Sequence, residues 1–283
     1  MNRACVIGWP IEHSRSPLIH SHWLARHGIQ GGVYEKRGVP PEEIESFLVD
    51  LQRHGYVGAN VTVPYKEVAL RAAAHADEAA RGVGAANTLW FENSALCASN
   101  TDVYGFLCNL DDQVLGWDDN GRLAVVLGAG GAARSVLRGL IERGFDEIRV
   151  VNRSSDRAQQ LARFFGPRVR VLDWEQRSGV LDGVDILVNT TTLGMNGTAL
   201  EIDLRGLPEG ALVTDVIYVP LETPLLRQAR RRGLRTADGL GMLLHQAVPG
   251  FEKWFGIRPE VTPELRELVL RNVAASHTRA SGD

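Results

Sequence analysis

Arg122-Leu123-Ala124-Val125-Val126-Leu127-Gly128-Ala129-Gly130-Gly131-Ala132-Ala133-Arg134-Ser135-Val136-Leu137 opens on an unbroken apolar run and closes on residues at helical spacing. An apolar run without alternation suits a parallel strand covered on both faces, and Val136, Leu137, Leu140 and Ile141 recur as one face of a helix. The glycines between them turn the strand sharply into the helix. Without a Cβ at 128, 130 and 131 the backbone can approach a pyrophosphate, which the free amides and the positive dipole end of the helix would face. Gly128, Gly130 and Ala133 match the G-x-G-x-x-G/A fingerprint of a dinucleotide turn, with Gly131 extra. A glycine-rich turn that binds nothing can have the same spacing, so the flanking sequence has to separate the two.

A second strand, Glu147 to Val151, follows within a βαβ-length span and ends in Asn152, Arg153, Ser154, where an NAD site would carry an acid. A carboxylate there would accept from a ribose hydroxyl and repel a phosphate; a guanidinium instead offers a fork of donors matched to phosphate oxygens. The reading predicts NADP. Arg157, one turn into the next helix, adds a second charge to the same pocket. Without the glycine turn, solvated helix-start residues would explain both arginines equally well.

The chain has 283 residues, 44% of them hydrophobic, enough for a large core in two closely coupled domains. A net charge of -3 without a basic stripe points away from nucleic acid and anionic membranes and towards small-molecule partners. Cys5, Cys97 and Cys108 form neither a disulfide framework nor a thiolate zinc pattern, which suits a reducing compartment. No long apolar segment precedes Gly8-Trp9-Pro10, so a cytoplasmic protein without a signal peptide is expected.

In chain order, Ala4 to Ile7 is a strand, and Ser16 with Pro17 reads as an N-cap and first-turn proline opening a helix to Gly28. Pro40 to Glu43 suits a helix start with Ile44, Phe47, Leu48 and Leu51 as its buried stripe, and Val57 to Val63 is a further strand. Asn87 to Phe91 and Ala95 to Ser99 read as a hairpin, after which Thr101 and Asp102 cap a helix from Val103. Arg168 to Leu172, Asp185 to Val188 and Ala211 to Val216 are apolar enough for parallel strands, with helices at Ala158 to Phe165 and Pro224 to Arg232. Gly239 to Phe255 and Pro263 to Val273 form two terminal helices, and a disordered tail is expected from His277.

Chemistry is suggested by Asn60, Thr62 and Lys66: on a strand Asn60 and Thr62 share one face, and a lysine at its end can donate or accept a proton. Asn87, Thr88, Asn100, Thr101 and Asp102 add amides, hydroxyls and a carboxylate at neighbouring strand ends, and Ser14 and Ser16 sit together near the start. Singly, turn and cap chemistry or a surface charge explains each. His20 and His22, two apart, diverge on a helix and cannot share a metal.

Together these residues form ordered motifs. They are Gly8-x-Pro10-Ile11-x-His13-Ser14-x-Ser16-Pro17, Asn60-Val61-Thr62-Val63-Pro64-x-Lys66, Asn87-Thr88-Leu89, Asn100-Thr101-Asp102, the glycine turn, Asn152-Arg153-Ser154 and Gly239-x-Gly241-Met242-Leu243-x-x-Gln246-Ala247. From Val6 to Gly256 the chain thereby resembles the shikimate dehydrogenase family. The resemblance implies an α/β fold with an N-terminal substrate domain at 1–103, completed by helices at 239–276, and a Rossmann-type NADP-binding domain at 104–238. It implies reversible NADPH-dependent reduction of 3-dehydroshikimate to shikimate, with Lys66 and Asp102 as the catalytic pair. Ser14 and Ser16 would hold the substrate carboxylate, and Asn60, Thr62, Asn87, Tyr218 and Gln246 its carboxylate or ring oxygens. Gly128, Gly130, Gly131 and Ala132 would face the pyrophosphate, Asn152, Arg153, Ser154 and Arg157 the 2′-phosphate, and Ile217 and Gly239 the nicotinamide region.

Hydride transfer leaves charge on the ketone oxygen, which an ammonium such as Lys66 can stabilise and protonate, so no metal is needed. Val103-Tyr104 before Gly105, and Ala86 before Asn87, depart from the common pattern and leave substrate breadth open. A quinate/shikimate dehydrogenase is the nearest enzyme alternative and a non-catalytic nucleotide sensor the binding one; the presence of both Lys66 and Asp102 counts against the sensor. Monomer and homodimer both remain open.

Overall fold

The computed structural model describes residues 2–119, 121–195 and 198–280. The chain divides into two compact units, Met1–Asp102 with Leu244–Asp283, and Val103–Leu243. The first unit contains β1 (Arg3–Gly8), α1 (Ser16–Arg26), β2 (Val33–Gly38), α2 (Ile44–Val49), β3 (Gly58–Val61), α3 (Lys66–Ala72), β4 (His75–Ala76), α4 (Glu78–Val83), β5 (Thr88–Glu92) and β6 (Ala95–Ser99). These strands form a mixed sheet in the order β2-β1-β3-β5-β6-β4. β1 runs parallel to both its neighbours, and β5 antiparallel to both of its own. The β5–β6 hairpin closes at Glu92 opposite Ala95, with Asn93 and Ser94 at φ 48° and 63°, the left-handed pair that a tight hairpin turn requires.

The chain continues through α5 (Thr101–Gln113), β7 (Leu123–Leu127), α6 (Gly131–Glu142), β8 (Glu147–Asn152), α7 (Ser155–Phe165), β9 (Val169–Asp173), β10 (Ile186–Asn189), β11 (Leu212–Asp215), α8 (Pro224–Arg231), β12 (Arg235–Ala237) and α9 (Leu240–His245). α10 (Ala247–Phe255) and α11 (Pro263–Ala280) then return to the first unit. The second sheet is parallel throughout, in the order β12-β11-β10-β7-β8-β9. This is the doubly wound arrangement whose order reverses beside its first strand, and the crevice at that reversal takes dinucleotides. β7 is central: Ala124 and Val126 enter the core on one face, Val125 and Leu127 the core on the other. Continuous burial of both faces is why its sequence shows no alternation.

Four local expectations are corrected. Ser16 is not the N-cap of α1: Arg15 occupies that position, Pro17 lies in the first turn, and the Ser14 hydroxyl accepts from the Ser16 N–H at 3.4 Å. α5 begins at Thr101, because Asn100 Oδ1 accepts from the Asp102 N–H at 3.2 Å and so leaves the Thr101 and Asp102 side chains to other partners. The single helix expected over Gly239 to Phe255 is two, interrupted at Gln246. Pro249 has no N–H to continue a helix from His245, a loss that costs nothing within the first turn of a new one. α11 continues through residues 277–280, where a disordered tail is expected, and 281–283 lie outside the described residues. Among the described residues no helix is long and apolar enough to cross a membrane.

The first unit's aromatic packing includes an unusual member. The His20 ring is fully buried, stacked at 3.8 Å and 12° on Tyr34, and surrounded by Trp23, Phe251 and Trp254. Neither ring nitrogen makes a hydrogen bond. Burial pushes the imidazole down to about 3, with the nearby Asn60 amide opposing the shift. A histidine lowered in the fold contributes stability above its unfolded value near 6.5, and that contribution is lost as pH falls towards 3, because only the unfolded chain takes up the proton. His20→Phe should therefore be neutral to stabilising by about 1 kcal/mol at pH 7, since it removes unsatisfied buried nitrogens. Its advantage over wild type in denaturant unfolding should widen as pH drops below about 6.5; a constant difference would show that the ring nitrogens are solvated.

Candidate active site

β3 and β5 lie side by side with Asn60 opposite Thr88, which brings their polar side chains together at one place in the first unit. Asn60 is 4% exposed and fully engaged: its Oδ1 accepts from the Tyr34 hydroxyl at 2.6 Å, and its Nδ2 donates to Asn87 O and Thr88 Oγ1, both at 3.1 Å. Ser16, also buried, lies beside the same Tyr34 hydroxyl. Asn87 acts as a clamp. Its Oδ1 accepts from the Thr101 N–H at 2.8 Å, the Thr101 hydroxyl at 3.1 Å and the Thr88 hydroxyl at 3.0 Å, and its Nδ2 donates to Asp102 Oδ1 at 2.8 Å. The other Asp102 oxygen accepts from Lys66 Nζ at 2.5 Å. The single Thr101 hydroxyl proton is shared between Asn87 Oδ1 and Gln246 O, the latter at 2.7 Å, which joins the start of α10 to the cluster.

Lys66 opens α3, and its side chain keeps 21% exposure against 12% for Asp102. An ammonium carries three donors and this bond uses one, so the exposed remainder is available to a substrate oxygen. Thr62 is half-buried just past the end of β3, and Ser14 half-buried just before α1. The arrangement can present a charged proton donor, held by a buried carboxylate, to a polar ligand.

The second unit carries the glycine turn. Gly128 has φ +103°, and a Cβ on it would lie 2.7 Å from the Thr190 hydroxyl, so conformation and space both demand glycine there. Gly130 and Gly131 are not crowded, with nothing within 4 Å of where a Cβ would stand. Gly130 is the N-cap of α6 and supplies no capping side chain, which leaves first-turn N–H groups for an external anion. The turn therefore fits a pyrophosphate, with Ala132 in the same first turn. At the end of β8, Asn152 Nδ2 donates to Ser154 O at 2.8 Å, and Arg153, Ser154 and Arg157 are exposed. Among the described residues no carboxylate pairs with Arg153 or Arg157, so both guanidinium groups are free to take a phosphate.

Ile217 is buried and Tyr218 half-buried in the segment after β11, and a Cβ on Gly239 would collide with the main chain of Val216. Gly239 thus allows the chain after β12 to press against the residue preceding Ile217. Sequence reasoning missed Tyr34, which looks like an ordinary strand aromatic and gives no signal of its bond to Asn60. It also missed Asn189 and Asp215, whose signal is readable: each is a polar residue ending an apolar parallel strand.

Residues 6–89 match the substrate-binding domain of shikimate dehydrogenase, 112–195 the shikimate/quinate 5-dehydrogenase domain, and 239–267 the shikimate 5′-dehydrogenase C-terminal domain. A protein of Rhodopseudomonas palustris named shikimate dehydrogenase (NADP(+)) is 58% identical over 96% of each chain. One of the same name from Azorhizobium caulinodans is 53% identical over 97% of this chain and 98% of its own. The Thermus thermophilus shikimate 5-dehydrogenase, solved with NADP(H) and shikimate, is 34% identical with a TM-score of 0.83, covering 96% of this chain and 100% of that one. The quinate dehydrogenase of Corynebacterium glutamicum, solved with NAD, is 30% identical with a TM-score of 0.86, over 95% and 99%. With its motifs, its doubly wound sheet and relatives of this identity along nearly its whole length, the chain belongs to the shikimate dehydrogenase family.

Proposed function

We propose that this protein catalyses the reversible NADP-dependent reduction of 3-dehydroshikimate to shikimate, the step of chorismate and aromatic amino-acid biosynthesis, in the cytoplasm. The observation that carries the reading is the Lys66–Asp102 pair at 2.5 Å, clamped by Asn87, in a chain that also holds an open glycine turn. Bound NADPH supplies the hydride. The Lys66 ammonium meets the charge that grows on the ketone oxygen and hands it a proton; in the oxidative direction the same nitrogen takes the proton from the hydroxyl. Asp102 keeps the ammonium in place, and Asn87 and the Asn100 cap fix the carboxylate. Ser14 and Ser16 hold the substrate carboxylate, and Thr62, Tyr218 and Gln246 complete the contacts to its oxygens. Asn60 acts on the substrate side as part of the buried network that sets Asn87. Gly128, Gly130, Gly131 and Ala132 hold the pyrophosphate, Asn152, Arg153, Ser154 and Arg157 the 2′-phosphate, and Ile217 and Gly239 border the nicotinamide end.

Production of NADPH by the purified protein from shikimate and NADP⁺ tests the function; turnover of quinate with NAD⁺ to an equal extent would replace it with a broader dehydrogenase. Lys66→Met keeps the aliphatic stem and removes the charge, so turnover should fall about a hundredfold to ten-thousandfold, with the Michaelis constant changing far less. Near-normal turnover in that variant would move the proton to another group.

Arg153 carries the cofactor preference. A charge-assisted hydrogen bond contributes about 1.5 to 3 kcal/mol, so Arg153→Ala should weaken NADP binding by roughly tenfold to a hundredfold. NAD binding should hardly change; equal losses measured by fluorescence titration would remove Arg153 from the 2′-phosphate.

A further inference from the structure

Asn189, Asp215 and Thr223 are each completely buried in the second unit, and none is accounted for by the reading of the site above. Asp215 ends β11. One of its oxygens accepts from Asn189 Nδ2 and from the Ile217 N–H, both at 3.0 Å, and the other accepts from the Thr223 hydroxyl at 2.8 Å. Asn189, at the end of β10, accepts on Oδ1 from the Thr191 N–H at 3.0 Å and the Thr191 hydroxyl at 2.8 Å, and also donates to Leu193 O at 3.0 Å. Thr223 caps α8 by accepting from the Leu226 N–H at 3.3 Å. One carboxylate therefore ties together the segment after β10, the segment after β11 and the start of α8.

The position of these segments gives the network its meaning. β8, which ends beside Arg153, lies on one side of β7, and β10 and β11 lie on the other. A dinucleotide with its pyrophosphate over Gly128–Gly131 and its 2′-phosphate at Arg153 extends its other half across the carboxyl ends of β10 and β11. The segment after β10 is also keyed to the glycine turn, since the Thr190 hydroxyl donates to Leu127 O at 2.7 Å and fills the space that glycine leaves at 128. Burial raises the Asp215 carboxyl to about 6 despite its hydrogen bonds, a cost that an apolar strand end would not carry.

We propose that Asp215, with Asn189 and Thr223, is a positioning residue for the nicotinamide half of the cofactor: without touching it, the buried carboxylate holds residues 190–193 and 216–223 in the form that this half requires. The inference rests on the NADP reading. Two of the residues it holds are Ile217, assigned to the nicotinamide end, and Tyr218, assigned to the substrate.

Calorimetric titration of the full chain with NADP⁺, and separately with adenosine 2′,5′-bisphosphate, which has the phosphate end but no nicotinamide, tests it. Asp215→Ala should weaken NADP⁺ binding by about tenfold or more, because the loops must then be ordered on binding, and leave adenosine 2′,5′-bisphosphate within about twofold. Asp215→Asn preserves the shape and part of the hydrogen bonding; it should lie between wild type and Asp215→Ala for NADP⁺, with unfolding temperature no lower than wild type. This variant also decides the matter if Asp215→Ala does not fold. Equal loss of both ligands, or no loss of either, in a folded Asp215→Asn protein would overturn the proposal and reduce Asp215 to a structural residue. A wild-type protein that takes up neither ligand would overturn the NADP reading and this inference with it; binding of both by wild type, with no selective loss in the variants, overturns the inference alone.

Discussion

A largely buried carboxylate is tolerable only when the lone pairs it turns inward meet donors, and Asp102 meets that condition through Lys66 on one oxygen and Asn87 on the other. The rest of the first unit follows from this requirement. Asn87 can serve Asp102 only because its own amide oxygen is held by Thr101 and Thr88. Those residues are placed by the start of α5 and by the pairing of β5 with β3 and β6. The chain of bonds reaches back through Asn60 to Tyr34, whose ring rests on His20. A shift in any of these elements would leave a buried polar group unsatisfied, which costs more than the bond itself returns.

The second unit solves a different problem with a different interior. Its central strands β7, β10 and β11 are buried on both faces, so their packing is apolar nearly to the carboxyl ends, and polar groups appear on them where the strands stop. Gly128 to Gly131, Asn152 to Ser154, Asn189 and Asp215 all lie at such ends. A rigid scaffold with its polar chemistry at one edge is what a doubly wound sheet provides, and loops can vary there without disturbing the core.

Titratable side chains are buried in two ways. Lys66 and Asp102 keep partial access to solvent, which the proposed exchange of a proton with a ligand requires. Asp215 and His20 have none; Asp215 directs its hydrogen bonds to main chain and neighbouring side chains, while His20 is simply enclosed by aromatic rings. Burial shifts the carboxyl upward and the imidazole downward for one reason, the penalty on the charged form.

The sequence by itself determined what is local or periodic. The apolar run at Leu123 to Leu127, the glycines after it and Arg153 at the next strand end point to a nucleotide turn with a phosphate preference, and the strands and helices expected between Leu123 and Arg232 lie within a few residues of their observed limits, while β12 has no counterpart among them. The ordered motifs carried the family and singled out Lys66 and Asp102, which the fold pairs. Tertiary structure alone decided which partners the polar residues take. Cap positions moved by a residue because Ser14 and Asn100, not Ser16 and Thr101, reach the free amides. The helical run over Gly239 to Phe255 broke at Gln246, whose carbonyl is claimed by Thr101 from 145 residues away. Tyr34 against Asn60, and Asp215 against Asn189 and Thr223, join positions that no periodicity links. Hydrogen bonds of this kind depend on strand order and register, which arise only when distant segments pack, so they leave no spacing in the sequence to read.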